Sequence, residues 1–269
     1  MMRPLSARNP RVQHLNRLVR RREERARQRA LVVEGPTLLA AALDAGLRVR
    51  EVFVDASAAE RPAITALADR LGDEVEPWVL PAGTLDRVGD VEASQGIAAV
   101  VEHLPPPFPH VGSAPFVLVL ADLQIPGNVG TLIRVAAAAG ADAVVVAGGA
   151  DPSSPKVVRS SAGAAFTVPV VGAPEPHVAV ARLRADGYRI AATVVAGGAP
   201  YDVADLSEPL ALVLGSEAHG LADDLVAEAD LRVTIPMAGP TESLNVAMAG
   251  TVLAFEVLRR RRDAQSKRA

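Results

Sequence analysis

The chain has 269 residues, enough for one large domain or two ordinary ones with a substantial buried core. Hydrophobic residues make up 49% and aromatics only 3%, so the core must be built from Ala, Val and Leu, which suits closely packed helix-on-sheet layers. Cysteine is absent, which excludes disulfides, thiolate metal sites and cysteine nucleophiles, and the formal net charge of −3 is unevenly spread.

From Asn9 to Gln28 the apolar positions Val12, Leu15, Leu18 and Val19 recur with helical period, opposite an arginine-rich face. Ala30–Val33 reads as a buried strand. Glu34-Gly35-Pro36 then turns into a helix that stops at Gly46. Val49–Asp55 alternates as a strand, Arg61–Leu71 is a helix, Trp78–Leu80 a strand and Thr84–Asp86 the opening of a short helix. Gln95–Glu102 closes this part as another strand, completing a small α/β domain over residues 1–104. Residues 105–115 form a proline-rich linker, stiff and extended, that spaces two domains.

Residues 116–269 restart with the apolar strand Phe116–Ala121. A loop from Asp122 to Gly130 leads into a helix that carries Arg134. Strands follow at Ala143–Gly149, Val168–Val171, Ile190–Val195, Leu210–Leu214 and Leu231–Ile235, alternating with helices at His177–Asp186 and Leu221–Ala229. Apolar runs buried on both faces and separated by helices predict a parallel sheet covered on both sides. After Pro236 the chain turns through Gly239-Pro240 and enters a helix of small apolar residues, for which Thr241 or Ser243 is a candidate cap. Ala247, Ala249 and Gly250 would let that helix approach its neighbours closely.

Charge adds a partner class. Residues 1–30 carry ten arginines against Glu23 and Glu24, and the chain ends RRRRDAQSKRA. Basic ends on an acidic body point to a polyanion such as nucleic acid. The scarcity of lysine (Lys156 and Lys267) reads as codon bias, which explains arginine in place of lysine but not its clustering. The five histidines have no pair spacing of the HExxH kind, so no metal is expected. The start of the chain lacks an apolar signal core and no run of eighteen apolar residues occurs, so a soluble cytoplasmic protein with no membrane partner is expected.

In open parallel sheets ligands gather outside the carboxyl ends of strands. Three such ends are polar or glycine-rich: Gln124–Arg134, Gly215–Gly220 and Pro236–Asn245. The first has Gly127 and Gly130 but neither GxGxxG nor a Walker lysine, which leaves a nucleotide-dependent oxidoreductase without its fingerprint. Arg134 stands among Leu132, Ile133 and Val135. It is read as a buried-face guanidinium near the start of its helix, costly unless paired and therefore functional.

Taken in order, Asn128-x-Gly130-x-x-x-Arg134, Leu214-Gly-Ser-Glu217-x-x-Gly220 and Ile235-Pro-Met237…Ser243-Leu-Asn245 resemble the three motifs of the SpoU (TrmH) family. These are RNA ribose 2′-O-methyltransferases of the SPOUT class. The N-terminal segment resembles the ribosomal-protein-like RNA-binding domain that many members carry. Ala218-His219 departs from the pattern, since many members have glycine there. The resemblance implies an α/β SPOUT domain with a deep C-terminal trefoil knot, S-adenosylmethionine as cofactor, and a homodimer whose active site borrows residues across the interface. Carried over by motif, Gly215, Ile235 and Leu244 line the cofactor pocket mainly through backbone groups, with Leu214, Met237 and Thr193 beside them. Asn128, Arg134, Glu217, Ser243 and Asn245 are the matching polar active-site positions.

The implied reaction is 2′-O-methylation of structured RNA, ribosomal first and transfer RNA as the nearer competitor. A non-catalytic RNA-binding or ribosome-assembly factor with a vestigial pocket is the alternative. A ribose hydroxyl must lose its proton as it attacks, and the family scheme assigns that to the motif arginine with an RNA phosphate. A guanidinium is hard to deprotonate, which leaves Arg134 the roles of stabilising the alkoxide or gripping phosphate.

Overall fold

The computed structural model describes residues 2–72, 75–89, 93–112 and 115–266. It divides into two compact units: Met1–Pro105 with Ser153–Phe166, and Pro106–Pro152 with Thr167–Ala269.

The first unit follows the order β1 (Arg3–Pro4), α1 (Pro10–Arg20), α2 (Arg22–Gln28), β2 (Ala30–Glu34), α3 (Pro36–Asp44), β3 (Val49–Asp55), α4 (Pro62–Leu71), β4 (Trp78–Leu80), α5 (Thr84–Val88) and β5 (Ile97–Glu102). Its strands form one mixed sheet in the order β1-β4-β3-β5-β2. Strand β5 runs antiparallel to β2 and β3, whereas β3, β4 and β1 run parallel. Val12, Leu15, Leu18 and Val19 are buried as their period demands. The predicted single helix over residues 9–28 is broken at Arg21, where the backbone is extended.

In the second unit come β6 (Phe116–Ala121), α6 (Pro126–Ala138) and β7 (Ala143–Ala147). The next helix, α7 (Pro155–Ser160), belongs to the first unit. The order resumes with β8 (Val170–Ala173), α8 (Pro176–Ala185), β9 (Arg189–Thr193), β10 (Ala199–Pro200), β11 (Leu210–Leu214), α9 (Asp223–Glu228), β12 (Leu231–Thr234) and α10 (Val246–Ser266). Seven strands form a sheet in the order β10-β12-β9-β11-β6-β7-β8, and every pair is parallel. All residues of β6, β7 and β11 are buried, as a sheet covered on both faces requires. Leu120 pairs with Leu214, so the carboxyl ends of β6 and β11 finish level. The chain leaves β6 toward β7 on one side while β11 lies on the other. This is the topological switch point at which such sheets bind ligands.

Several expectations are corrected. Helix α6 starts at Pro126, so Asn128 and Gly130 lie on its first turns rather than in a loop. Proline at the first helical position is preorganised for a helix start, and five other helices here begin the same way. Arg134 is the ninth residue of α6 and exposed, between buried Ile133 and half-buried Val135. The strand expected at 168–171 lies at Val170–Ala173. Residues 106–112 do not span free space. Phe108 and Val111 pack on the core of the second unit, with the Arg182 guanidinium 4.0 Å above the Phe108 ring and the Val111 N–H donating to Asp186.

Residues 153–166 join the first unit through Val158, which lies in its apolar core, and Arg159, whose guanidinium bonds Glu34 at 2.9 Å. The C-terminal arginines, expected to face a polyanion, are mostly used internally. Buried Glu256 accepts from Arg259 and Arg260, while Arg261 bonds Asp142 and Glu208. Helix α10 lies close on α6 because Gly250 has no side chain: a Cβ there would sit 2.3 Å from Leu132 Cδ2 and 2.7 Å from Leu214 Cδ1. No described helix is long and apolar enough to cross a membrane.

Candidate functional site

The three loops at the carboxyl ends of β6, β11 and β12 come together. The loop after β11 folds back on itself, with reciprocal backbone hydrogen bonds between Ser216 and Gly220 at 3.0 and 2.9 Å. Gly215 makes that possible, because a Cβ on it would lie 2.3 Å from the Gly220 carbonyl carbon. Gly220 takes φ +69°, a conformation that glycine adopts without strain.

Beside this loop lies a cavity of about 610 Å³. All six positions expected to hold a cofactor line it: Thr193, Leu214, Gly215, Ile235, Met237 and Leu244. Glu217, Ser243 and Asn245 also line it; Asn128 and Arg134 do not. The walls are polar and apolar in about equal measure, and the polar groups sit at the ends of strands and in the 215–220 and 242–245 stretches. A cavity of this size, with convergent polar groups beside apolar side chains, suits a small polar organic ligand. The Thr193 hydroxyl donates to the Val213 carbonyl at 2.9 Å, so it faces its neighbouring strand.

Asn128 is tied to the cavity by hydrogen bonds. Its amide donates to Glu217 Oε1 at 2.9 Å and its oxygen accepts from the Asn245 amide at 3.4 Å. Glu217 also accepts the backbone N–H groups of Gln124 at 3.2 Å and Ile125 at 3.4 Å, just ahead of α6. No acidic residue occupies the first turn of α6, and the Glu217 carboxylate from another loop supplies the negative charge that a helix N-terminus favours. Partial burial pushes the Glu217 pKa up. The Asn128 amide and the surrounding backbone donors outweigh it and hold the carboxyl below the ordinary glutamate range. Asn245 Oδ1 in turn accepts the Ala247 N–H at 2.9 Å, so Asn245 caps α10, the role expected of Thr241 or Ser243.

Arg134 makes no hydrogen bond or ion pair with any described residue. An exposed, unpartnered guanidinium on the helix that carries Asn128 is available to an anion. Sequence reasoning did not pick out Val195, Val233, His219 or Glu242, which also line the cavity. His219 and Glu242 fall inside the motif loops and Val195 at a strand end, so only their side-chain direction was missing. Among the described residues no group of three or more His, Cys, Asp or Glu side chains could hold a metal ion.

Residues 115–255 match the model of the SpoU rRNA Methylase family, and residues 9–99 match that of the MRM3-like substrate binding domain. The chain is 34% identical to the 23S rRNA (guanosine(2553)-2′-O)-methyltransferase RlmP of Bacillus subtilis, over 94% of this chain and 97% of that one. It is 33% identical to the 23S rRNA (uridine(2479)-2′-O)-methyltransferase of Streptomyces viridochromogenes, over 96% and 93%. Its structure resembles the AdoMet-bound rRNA methyltransferase from Sinorhizobium meliloti with a TM-score of 0.82 at 28% identity, covering 96% of this chain and 98% of that one.

Proposed function

Because this chain belongs to the SpoU rRNA methylase family, we propose that it transfers a methyl group from S-adenosylmethionine to a ribose 2′-hydroxyl of structured RNA, most readily ribosomal RNA. The observation that carries the reading is one cavity lined by the motif loops after β11 and β12, to which the first motif is tied through the Asn128 hydrogen bonds to Glu217 and Asn245, with Arg134 left unpaired on the same helix as Asn128.

The cavity fits the cofactor. Its volume suits a nucleoside-sized ligand, and the Gly215–Gly220 turn and Ile235–Met237 offer backbone groups beside apolar walls. When bound, S-adenosylmethionine supplies an electrophilic methyl group on a sulfonium centre. The chain's own residues do the rest. Holding the ribose oxygen in line with that methyl supplies much of the acceleration, up to about 7–11 kcal/mol for two well-oriented reactants. The Glu217–Asn128–Asn245 chain of hydrogen bonds fixes the β6, β11 and β12 loops in one arrangement, which supports that positioning. Arg134 grips phosphate or stabilises the developing alkoxide. Ser243 lines the cavity and is a further polar residue for the substrate.

The first unit, with the match over residues 9–99, is the RNA-binding module, and residues 116–269 carry the methyltransferase apart from the 153–166 segment. A homodimer is supported by α10, which exposes Met248 (63%), Phe255 (44%) and, just ahead of it, Leu244 (37%). A trefoil knot is supported by the return of α10 onto α6 after the 242–245 stretch has lined the cavity. The cytoplasm, where structured RNA is met, is the proposed location.

The test is incubation of the protein with methyl-labelled S-adenosylmethionine and separately purified ribosomal and transfer RNA, followed by nucleotide mapping. Ribose methylation in ribosomal RNA is expected. Label only in transfer RNA would transfer the reading to that substrate, and no ribose methylation in either would overturn it.

A further inference from the structure

We propose that the C-terminal end of α1 is a phosphate grip for RNA, formed by Arg17, Arg20 and Arg21; this rests on the RNA-methylation reading above.

The argument begins with how the N-terminal arginines are used. Arg3 pairs with Glu76, Arg11 pairs with Glu51 and stacks over Trp78, and Arg27 holds Glu24 with two hydrogen bonds. Arg25 is buried, at 4% exposure, and its guanidinium bonds the Leu18 and Val19 carbonyls at 2.6 and 2.9 Å. Arg17, Arg20 and Arg21 differ. All three are exposed, and none bonds a carboxylate. The Arg20 side chain bonds the neutral Asn16 oxygen at 2.7 Å. Glu24 is close enough for its charge to be felt by Arg17 but is already engaged by Arg27, which leaves Glu23 as the exposed carboxylate at this corner.

Helix capping does not account for the three. Cations at a helix C-terminus satisfy the last carbonyls and the dipole. Here the Arg17 carbonyl accepts the Arg21 N–H, and the next two carbonyls accept the Arg25 guanidinium. Three of the last four carbonyls of α1 are thus already satisfied without these side chains, and three exposed arginines remain. Arg17 and Arg20 are i, i+3 neighbours on the last turn of α1, and Arg21 is its C-cap, held to that turn by its N–H bond to the Arg17 carbonyl, so the three lie at one helix end. The inward face of the same helix is fixed by Val12, Leu15, Leu18 and Val19, which holds the cluster outward on a rigid element. None of the exposed large hydrophobic residues lies on α1 or α2, so this corner lacks the apolar anchor of a protein–protein contact. What it offers suits a polyanion whose phosphates release counterions on binding.

The experiment compares the full-length protein with the triple variant Arg17→Ala/Arg20→Ala/Arg21→Ala, the triple Arg→Lys variant, and Arg70→Ala. Arg70 is paired with Asp44 elsewhere on the same unit and serves as the charge control. A fluorescent RNA hairpin is titrated at several salt concentrations, S-adenosylmethionine affinity is measured, and KM and kcat are determined on total ribosomal RNA. Expected for the Ala triple is a salt slope lowered by roughly 0.7–0.9 per arginine. Its KM should rise with kcat and cofactor affinity unchanged; the Lys triple should retain the slope and Arg70→Ala should leave it unchanged. An unchanged slope and KM in the Ala triple would overturn the grip while methylation by the wild type still stood. A lowered melting temperature with unchanged RNA affinity would likewise assign these residues to helix stability. If the wild type methylates nothing, the enzymatic reading fails separately, and the hairpin slopes still decide the grip.

Discussion

The Asn128 amide donates to the Glu217 carboxylate at 2.9 Å, joining the first turn of α6 to the loop after β11. Since Glu217 also accepts two backbone N–H groups ahead of α6, one carboxylate organises two of the three motif loops. Replacing it with glutamine removes the charge and one acceptor. Hydrogen bonds to charged groups contribute about 1.5–3 kcal/mol, so Glu217→Gln is expected to lower turnover by roughly tenfold to a hundredfold. Steady-state kinetics with calorimetric cofactor titration checks this. Unchanged turnover would show that the loops hold their arrangement without the carboxylate.

Arg134→Ala separates chemistry from folding. The side chain is exposed and unpartnered, so stability should change by less than about 0.5 kcal/mol. Cofactor affinity should persist while turnover falls by about 10²–10³, the scale for losing one stabiliser of a developing anion. Arg134→Lys should recover only part, because an ammonium lacks the guanidinium fork. Loss of cofactor binding would instead assign Arg134 to the pocket.

Glu256 gives a stability prediction. It is 8% exposed, and hydrogen bonds from Arg259 first, opposed by burial and reinforced by Arg260, hold its pKa below the ordinary value. Glu256→Gln should cost about 1.5–3 kcal/mol, read as a lowered melting temperature. The folded pKa is depressed, as it is for Glu217 and Asp230, so the unfolded chain binds more protons. Stability from these carboxyls is complete above their unfolded values and is lost as pH falls through the folded ones, from about pH 5 downward. Melting followed against pH should show a shallower acid loss in Glu256→Gln than in the wild type.

Gly250 reports on the packing of α10. A valine there would drive its side chain into Leu132 and Leu214. Gly250→Val should destabilise by roughly 1–3 kcal/mol through overpacking, measured by denaturant unfolding, and weaken the cofactor because Leu214 also lines the cavity.

The proposed homodimer is checked on α10. Met248→Asp with Phe255→Asp places two charges on its exposed apolar stripe. Light scattering should give a dimeric mass for the wild type and a monomeric mass for the variant. A monomeric wild type would refute the assembly.

Local chemistry in the sequence determined a good deal. Period-two and continuous apolar runs located the long strands, and helical spacing identified the buried face of α1. The motif positions were legible because the three polar strand ends, taken together in order and spacing, resemble the motifs of the SpoU family, whereas each loop alone reads as an ordinary turn or helix cap. Even so, the start of α6 was hidden: the Gly127 and Gly130 around Asn128 read as loop, and the helix-starting Pro126 was outweighed. Arg134 then came out on the wrong face, since its apolar chain neighbours were read as its surroundings although successive helical residues point about 100° apart.

Other features depend on partners distant in the chain. The arginine run 259–262 reads as a polyanion site until the fold brings Asp142 and Glu208 to Arg261 while Glu256 holds Arg259 and Arg260, which leaves three of the four in internal ion pairs. Ser153–Phe166 reads as a connecting segment of the second domain until Glu34 and the core around Val158 are beside it. Asn128, Glu217 and Asn245 were each identified from sequence, but not that they are hydrogen-bonded to one another. Sequence fixes which groups are present and how nearby residues are spaced; hydrogen bonds and burial across more than eighty residues exist only once the sheet has set the β6 and β11 ends side by side.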